Sequence, residues 1–206
     1  YRINTNMVSF SLRFKEIFMP RIGLSREKVI EQAAMLANEK GLKYVTITTL
    51  ADHLGIKKPS LYNHIKSQDD IYQGIMIYGW KNGAEAITDH ITEKDAHEAL
   101  REYARGFYKY AIDNPGIFEA MLWYNKYKSE ELVQATRKVY TFFFAQTDKL
   151  YIDRVVANHL LRTYRAFLEG FLLLVVHDSF GNPISVNDSF ELSLDVLISG
   201  IKQYES

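Results

Sequence analysis

The chain has 206 residues, 47% of them hydrophobic and 24% charged, and no cysteine. This excludes a disulfide framework and thiolate metal sites, and fits a globular protein of one large or two modest domains. The formal net charge is zero but unevenly spread: residues 19–66 carry eight Lys/Arg against four Asp/Glu, residues 67–206 fourteen against twenty, and residues 1–18 three against one. A basic early segment on an acidic remainder points to a polyanion partner for the first part alone.

Residues 1–18 have no long apolar core, so a signal peptide is not expected. Met19 opens "MPRIGLSREKV", a plausible native start, and residues 1–18 read as a tail of uncertain origin. The alternative is a basic arm reaching DNA. From Ser25, an N-cap residue, Val29, Ile30, Ala33, Leu36 and Ala37 share one face of a first helix that Gly41 ends. Thr46 can cap a short second helix carrying Leu50, Ala51 and Leu54, and Gly55 sits where a helix stops with positive φ. A third helix is expected from about Lys58 to Ile65, with Pro59 tolerated in its first turn.

Ser67 caps a long fourth helix reaching about Ile91, with Asp69 and Asp70 where the helix dipole favours negative charge. Its glycines, Gly74, Gly79 and Gly83, read either as close-packing points or as places that bend easily. Asp95 and Glu98 form a capping pattern for a fifth helix that ends near "DNPG" at 113–116. A short sixth helix follows over 117–124, a seventh over 129–149, an eighth over 153–178 and a ninth over 188–204, after "FGNP". The expected fold is therefore all-α. Residues 19–66 form a three-helix unit, and residues 67–206 a larger helical unit entered through the fourth helix. The most apolar run, "FLEGFLLLVV" at 167–176, contains Glu169 and falls well short of the roughly 20 residues of a membrane span. No membrane is expected, and the location expected is the cytoplasm.

Two short helices joined by a glycine turn and packed on a longer one make a helix-turn-helix. Leu61 and Ile65 anchor the third helix inward. Pro59, Ser60 and Asn63 then point outward, with Lys58 and Tyr62 on one flank and His64 on the other. Such a helix fits a major groove, where outward side chains reach base edges while lysines and hydroxyls meet phosphates.

At "TITTLADHLGIKKPSLYNHIKSQDDI", residues 46–71, the chain resembles the TetR family of bacterial transcriptional regulators, and the resemblance extends coarsely from Met19 onward. It implies a helix-turn-helix DNA-binding domain over 19–66 and a helical ligand-binding and dimerisation domain over 67–206. It implies base or groove contacts from Lys57, Lys58, Pro59 and Tyr62, phosphate contacts from Ser60, Asn63 and His64, and a further contact from Thr48. There are two departures. Gln68 replaces a lysine often found at the start of the fourth helix, so one phosphate contact is weakened or passes to Lys66. Lys57 stands where a small N-cap residue is usual.

In the large unit most aromatics belong to a core. A few, several of them with polar tips, are candidates for a pocket between helices: Tyr103, Phe107, Tyr124, Tyr127, Tyr164 and Phe167, together with Met121. Apart from weak pairs, His90, His97, His159 and His177 show no metal-ligand spacing with carboxylates on one helix face, and no metal or cofactor is expected. No nucleophile elbow, phosphate loop or catalytic cysteine appears, so no enzyme is expected. The eighth and ninth helices are more apolar than one core face requires, which suggests a symmetric interface with Phe190 and Leu194 as its contacts. The combined expectation is a homodimeric repressor of a double-stranded DNA operator, released by a small apolar or aromatic effector. The alternatives are a helical interaction protein, or a helical-bundle enzyme using His177 with Glu169.

Overall fold

A computed structural model describes residues 24–123, 126–127 and 129–206. The tail over 1–18, Met19 and the pocket candidate Tyr124 lie outside the described residues. Every regular element among those residues is a helix. They are α1 (Arg26–Lys40), a 3-10 turn (Leu42–Tyr44), α2 (Ile47–His53), α3 (Lys58–Leu61), α4 (Gln68–Thr88), α5 (Ala96–Asp113), α6 (Pro115–Met121), α7 (Glu130–Lys149), α8 (Arg154–Val176) and α9 (Val186–Lys202). None is long and apolar enough to cross a membrane.

Local chemistry sets most of these boundaries. The Ser25 hydroxyl accepts from Lys28 N at 3.3 Å and opens α1. Thr46 and Thr49 form a reciprocal capping box at the start of α2, with N–H to hydroxyl distances of 2.8 and 3.1 Å. Gly55 has φ 63°, and the N–H of Ile56 returns to Ala51 O at 3.0 Å to close the helix end. Asp95 and Ser129 cap α5 and α7 through Glu98 N and Leu132 N.

Three expectations are corrected. The α3 helix ends at Leu61 and relaxes into a turn, with Leu61 and Ile65 both buried. The α4 helix stops at Thr88, whose hydroxyl bonds back to Ala84 O at 2.7 Å, instead of running to Ile91. The α6 helix starts at Pro115, which needs no N–H in a first turn, instead of Ile117.

One continuous hydrophobic core runs from Val29 to Ile201. The glycines of α4 are contact points within it. A Cβ on Gly74 would sit 2.2 Å from Ile30 Cδ1, one on Gly79 would sit 2.5 Å from Ile117 Cγ2, and one on Gly83 would sit 3.0 Å from Tyr110. Close packing against α1, α6 and α5 therefore accounts for all three. Across the large unit, α9 is tied to α5 by Arg105, which donates to Glu191 at 2.9–3.3 Å, and by an Arg101–Asp195 pair. The Arg105 guanidinium holds the Glu191 carboxyl below its ordinary range.

Candidate functional site

The outer surface of α2–α3 and its flanks is a cluster of exposed side chains, all but Pro59 polar. Thr48, Lys57, Lys58, Pro59, Ser60, Tyr62, Asn63 and Lys66 are exposed, and His64 is half-exposed. Tyr62 keeps 56% of its surface in solvent. Among the described residues, none of these side chains makes a hydrogen bond or ion pair within the chain. Polar groups beside them are engaged within the chain. Arg26 donates to Asp70 Oδ1 at 2.6 Å, the other oxygen of Asp70 accepts from Lys66 N at 2.7 Å, and the Ser67 hydroxyl accepts from Asp70 N at 3.1 Å. Lys57, the N-cap of α3, gives that helix no side-chain cap, as the sequence suggests.

Gln68 has a structural role that its sequence position did not disclose. Its amide nitrogen donates to Val45 O at 2.6 Å, and its amide oxygen accepts from Ile47 N at 3.1 Å. The first residue of α4 thus satisfies the first N–H of α2 and pins the helix-turn-helix to the connecting helix. Gln68→Ala is expected to lower stability by about 1–3 kcal/mol, the sum of two part-buried hydrogen bonds. Urea unfolding checks this, and an unchanged midpoint contradicts it.

A second junction links the two units through α6. Asn38, near the end of α1, accepts from Ile117 N at 3.0 Å and donates to Asn114 Oδ1 at 2.9 Å. A side chain of the first unit thereby caps a helix of the second. Gly116 lies directly against the α1 backbone, where a Cβ would stand 2.0 Å from Ala37 O. On its other side, α6 meets the aromatic core: Phe118 packs edge-on against Phe107 at 5.9 Å, and Trp80 Nε1 donates to Met121 O at 3.3 Å.

That aromatic core encloses a small cavity between α4, α5, α7 and α8. Trp80, Tyr103, Phe107, Phe142 and Phe143 form its apolar wall. Tyr164, Arg165 and Glu169 of α8 also line it. Its volume of ≈ 20 Å³ is about enough for a single water. Burial pushes the Tyr103 and Tyr164 phenols up, so both stay protonated. The Tyr164 hydroxyl donates to Leu100 O at 2.5 Å. Arg165 grips Glu169 Oε1 from Nε and Nη2 at 3.0 and 2.8 Å.

Of the pocket candidates, Tyr103, Phe107 and Tyr164 meet at this cavity. The other described candidates lie elsewhere. Met121 packs on Gly79, Phe167 stacks on Phe190 at 5.7 Å, and the Tyr127 hydroxyl donates to Asp69 Oδ1 at 2.9 Å. That bond and the nearby Lys126 ammonium hold the Asp69 carboxyl below its ordinary range. Sequence reasoning missed Trp80, Phe142, Arg165 and Glu169 as cavity residues. The 165–169 pair carried a readable signal in its i,i+4 spacing.

The interface candidates Phe190 and Leu194 need correction. They are 1% and 0% exposed within a single chain, Phe190 standing among Tyr108, Phe167 and Phe171, and so both are core. The apolar residues left in solvent on α8 and α9 are Val155, Leu173, Leu174, Leu192 and Val196. Gly170 and Gly200 have open space where a Cβ would stand. No group of three or more His, Cys, Asp or Glu side chains among the described residues is placed to hold a metal ion.

An all-helical chain with an outward helix-turn-helix on a larger helical body has the build of a DNA-binding transcriptional regulator. Residues 29–75 match the sequence profile of the bacterial regulatory proteins of the tetR family, and residues 100–197 that of the tetracyclin repressor-like C-terminal domain. The chain belongs to the TetR family of transcriptional regulators. It is 28% identical over 182 residues to YobS, an uncharacterized HTH-type transcriptional regulator of Bacillus subtilis (strain 168), covering 88% of this chain and 95% of that one. Its fold is shared by a TetR variant of Acinetobacter baumannii AYE in complex with minocycline, with TM-score 0.70, 20% identity and coverage of 89% and 99%. It is shared too by ActR of Streptomyces coelicolor in complex with (S)-DNPA, with TM-score 0.68, 14% identity and coverage of 86% and 96%.

Proposed function

We propose that the chain is a homodimeric repressor that grips a near-palindromic operator through α3 and releases it when a small molecule opens the aromatic cavity. The observation that carries this reading is the cluster of exposed side chains on α2–α3 with no hydrogen-bond or ion-pair partner among the described residues. In a groove, Lys57, Lys58, Pro59 and Tyr62 face base edges or groove walls, while Thr48, Ser60, Asn63, His64 and Lys66 face phosphates. Residues up to 66 act as the DNA-binding domain and residues 67–206 as the effector and dimer domain. On a cognate duplex, Tyr62→Ala should lose discrimination between operator and scrambled DNA. Lys66→Ala should instead lower the salt slope by about one unit with little change in discrimination. Anisotropy titrations at several salt concentrations measure both. Equal losses on both duplexes for Tyr62→Ala would count against the assignment.

The dimer uses the exposed faces of α8 and α9, where Leu173, Leu174, Leu192 and Val196 surround helices thinned by Gly170 and Gly200. A self-complementary patch of this kind closes about a twofold axis. Val196 is 67% exposed in the single chain, so Val196→Arg should leave each chain folded and split the pair. Light scattering at micromolar concentration should then give monomer mass for the variant and dimer mass for the parent. Monomer mass for both removes the dimer from the account.

Coupling runs through α6 as well as α4. An effector between Trp80 and Phe107 presses on Phe118 and Met121, and α6 is gripped by Asn38 and Ala37 of the DNA-binding domain. Full release requires the effector to prefer the DNA-incompetent arrangement by about 10⁴-fold. Cavity walls that part in one arrangement and close in the other provide that difference in shape. Two proteins of the same fold are found in complex with small molecules, minocycline and (S)-DNPA, which supports a small-molecule effector for this chain.

A further inference from the structure

We propose that Lys126, a residue of the large helical unit, completes the DNA-binding edge by cancelling the negative charge that Asp69 would otherwise turn toward the DNA backbone. This rests on reading α2–α3 and the turn into α4 as the face that meets DNA. The first turn of α4 carries two carboxylates, Asp69 and Asp70. A helix dipole favours them there, but a polyanion outside does not. Lys66 is folded over this turn, since its backbone N donates to Asp70 Oδ2 at 2.7 Å. A phosphate held by Lys66 then stands on the order of 10 Å from the Asp69 carboxylate, about one Debye length at 0.1 M salt.

Each carboxylate is met by a cation from elsewhere in the chain. Asp70 takes Arg26 of α1 at 2.6 Å. Asp69 takes Lys126, from the segment between α6 and α7, at 3.2 Å, and the Tyr127 hydroxyl donates to the same oxygen at 2.9 Å. Lys66, Arg26 and Lys126 thus outweigh Asp69 and Asp70 by one charge, and without Lys126 the balance is zero. The positive edge is therefore not complete within the helix-turn-helix itself.

Aromatic rings place the ammonium. Lys126 Nζ lies 4.7 Å from the Trp123 ring centroid and 5.2 Å from that of Tyr127, and ring faces attract cations. Trp123 in turn stands edge-on to Tyr72 of α4 at 5.2 Å. Tyr72 follows Asp69 by one helical turn, so the rings and the ion pair settle on the same stretch of α4. The Lys126 and Asp69 side chains keep 52% and 66% of their surface in solvent, so the pair adds little to folding. Its effect falls on what approaches from outside: a bare carboxylate repels a duplex across solvent, and a paired one does so far less. A tether between the two units would use the same contacts, and Asp69→Asn separates the two roles. Losing the carboxylate charge breaks a tether, but it removes a repulsion.

The test titrates the full chain against a fluorescein-labelled mixed-sequence duplex, followed by anisotropy at low and high salt, with melting curves as a check on folding. Lys126→Met should weaken binding about three- to tenfold at low salt, and the loss should shrink as salt rises. Lys126→Arg should bind like the parent. Asp69→Asn should bind at least as tightly as the parent, and joined to Lys126→Met it should restore parent affinity to within about twofold. Asp69→Asn alone decides the matter if Lys126→Met does not fold. The proposal is overturned if Lys126→Met binds like the parent at low salt. It is overturned equally if Asp69→Asn weakens binding or fails to rescue Lys126→Met, which would make the pair a tether. If the parent itself binds no duplex, the DNA-binding reading falls and takes the proposal with it.

Discussion

Phe190→Ala is expected to destabilise the chain by about 3–5 kcal/mol, the cost of emptying a buried phenyl site that cannot collapse. Phe190 is 1% exposed and stands among three rings, with centroids at 4.7 Å from Tyr108, 5.7 Å from Phe167 and 5.4 Å from Phe171. These rings belong to α5 and α8, so the loss loosens α9 from both. For a chain of this size the melting temperature should fall by roughly 6–20 °C. Because a dimer couples stability to concentration, the comparison belongs at matched protein concentrations, alongside Val196→Arg. Core and interface then separate: Phe190→Ala lowers the stability of the chain itself, while Val196→Arg alters mass with little change in the monomer. A near-parent melting curve for Phe190→Ala would mean that Phe190 does not fill the core.

Gly116→Ala should have an effect larger than its single methyl suggests. The added carbon would stand 2.0 Å from Ala37 O, 2.2 Å from Ala37 C and 2.8 Å from Asn38 N. All three are backbone atoms of α1, so no side chain can rotate away. The helices α1 and α6 must separate by more than an ångström, straining the Asn38 bonds to Asn114 and Ile117. Overpacking of this kind costs about 1–3 kcal/mol and more where backbone must move. Calorimetry should therefore show a lowered melting temperature. Since the same shift repositions the helix-turn-helix against the large domain, operator affinity should fall as well. Unchanged affinity in a folded, destabilised variant would show that α6 does not set the position of the DNA-binding domain.

The helix-turn-helix was legible because its signals are local. Ser25, Thr46, Gly55 and Ser67 mark helix ends by capping and by left-handed backbone, and Leu61 with Ile65 set the inward face. The errors come from contacts distant in sequence. Asn38 meets Asn114 and Ile117 across more than seventy residues, and "DNPG" by itself reads only as a stop. Gln68 reads as a lost phosphate contact because nothing nearby announces its bonds to Val45 and Ile47. On α9, Phe190, Leu192, Leu194, Val196 and Ile198 give apolar character almost all round. Periodicity then cannot say which residues Tyr108 and Phe167 will cover. The polar tip of Tyr127 is used on Asp69, a partner far away in the sequence that no local pattern announces. Reading Glu169 against His177 overlooked the nearer partner one turn away, Arg165.

The central claim is that the unengaged side chains of α2–α3 read an operator in a symmetric pair. Selection of bound duplexes from a random pool, at a salt concentration that suppresses charge-driven binding, tests it most directly. The expected result is an inverted repeat whose half-sites are centred about 34–36 Å apart or somewhat more, one recognition helix to each. Recovery of sequence-blind duplexes whose binding simply fades with salt would contradict it.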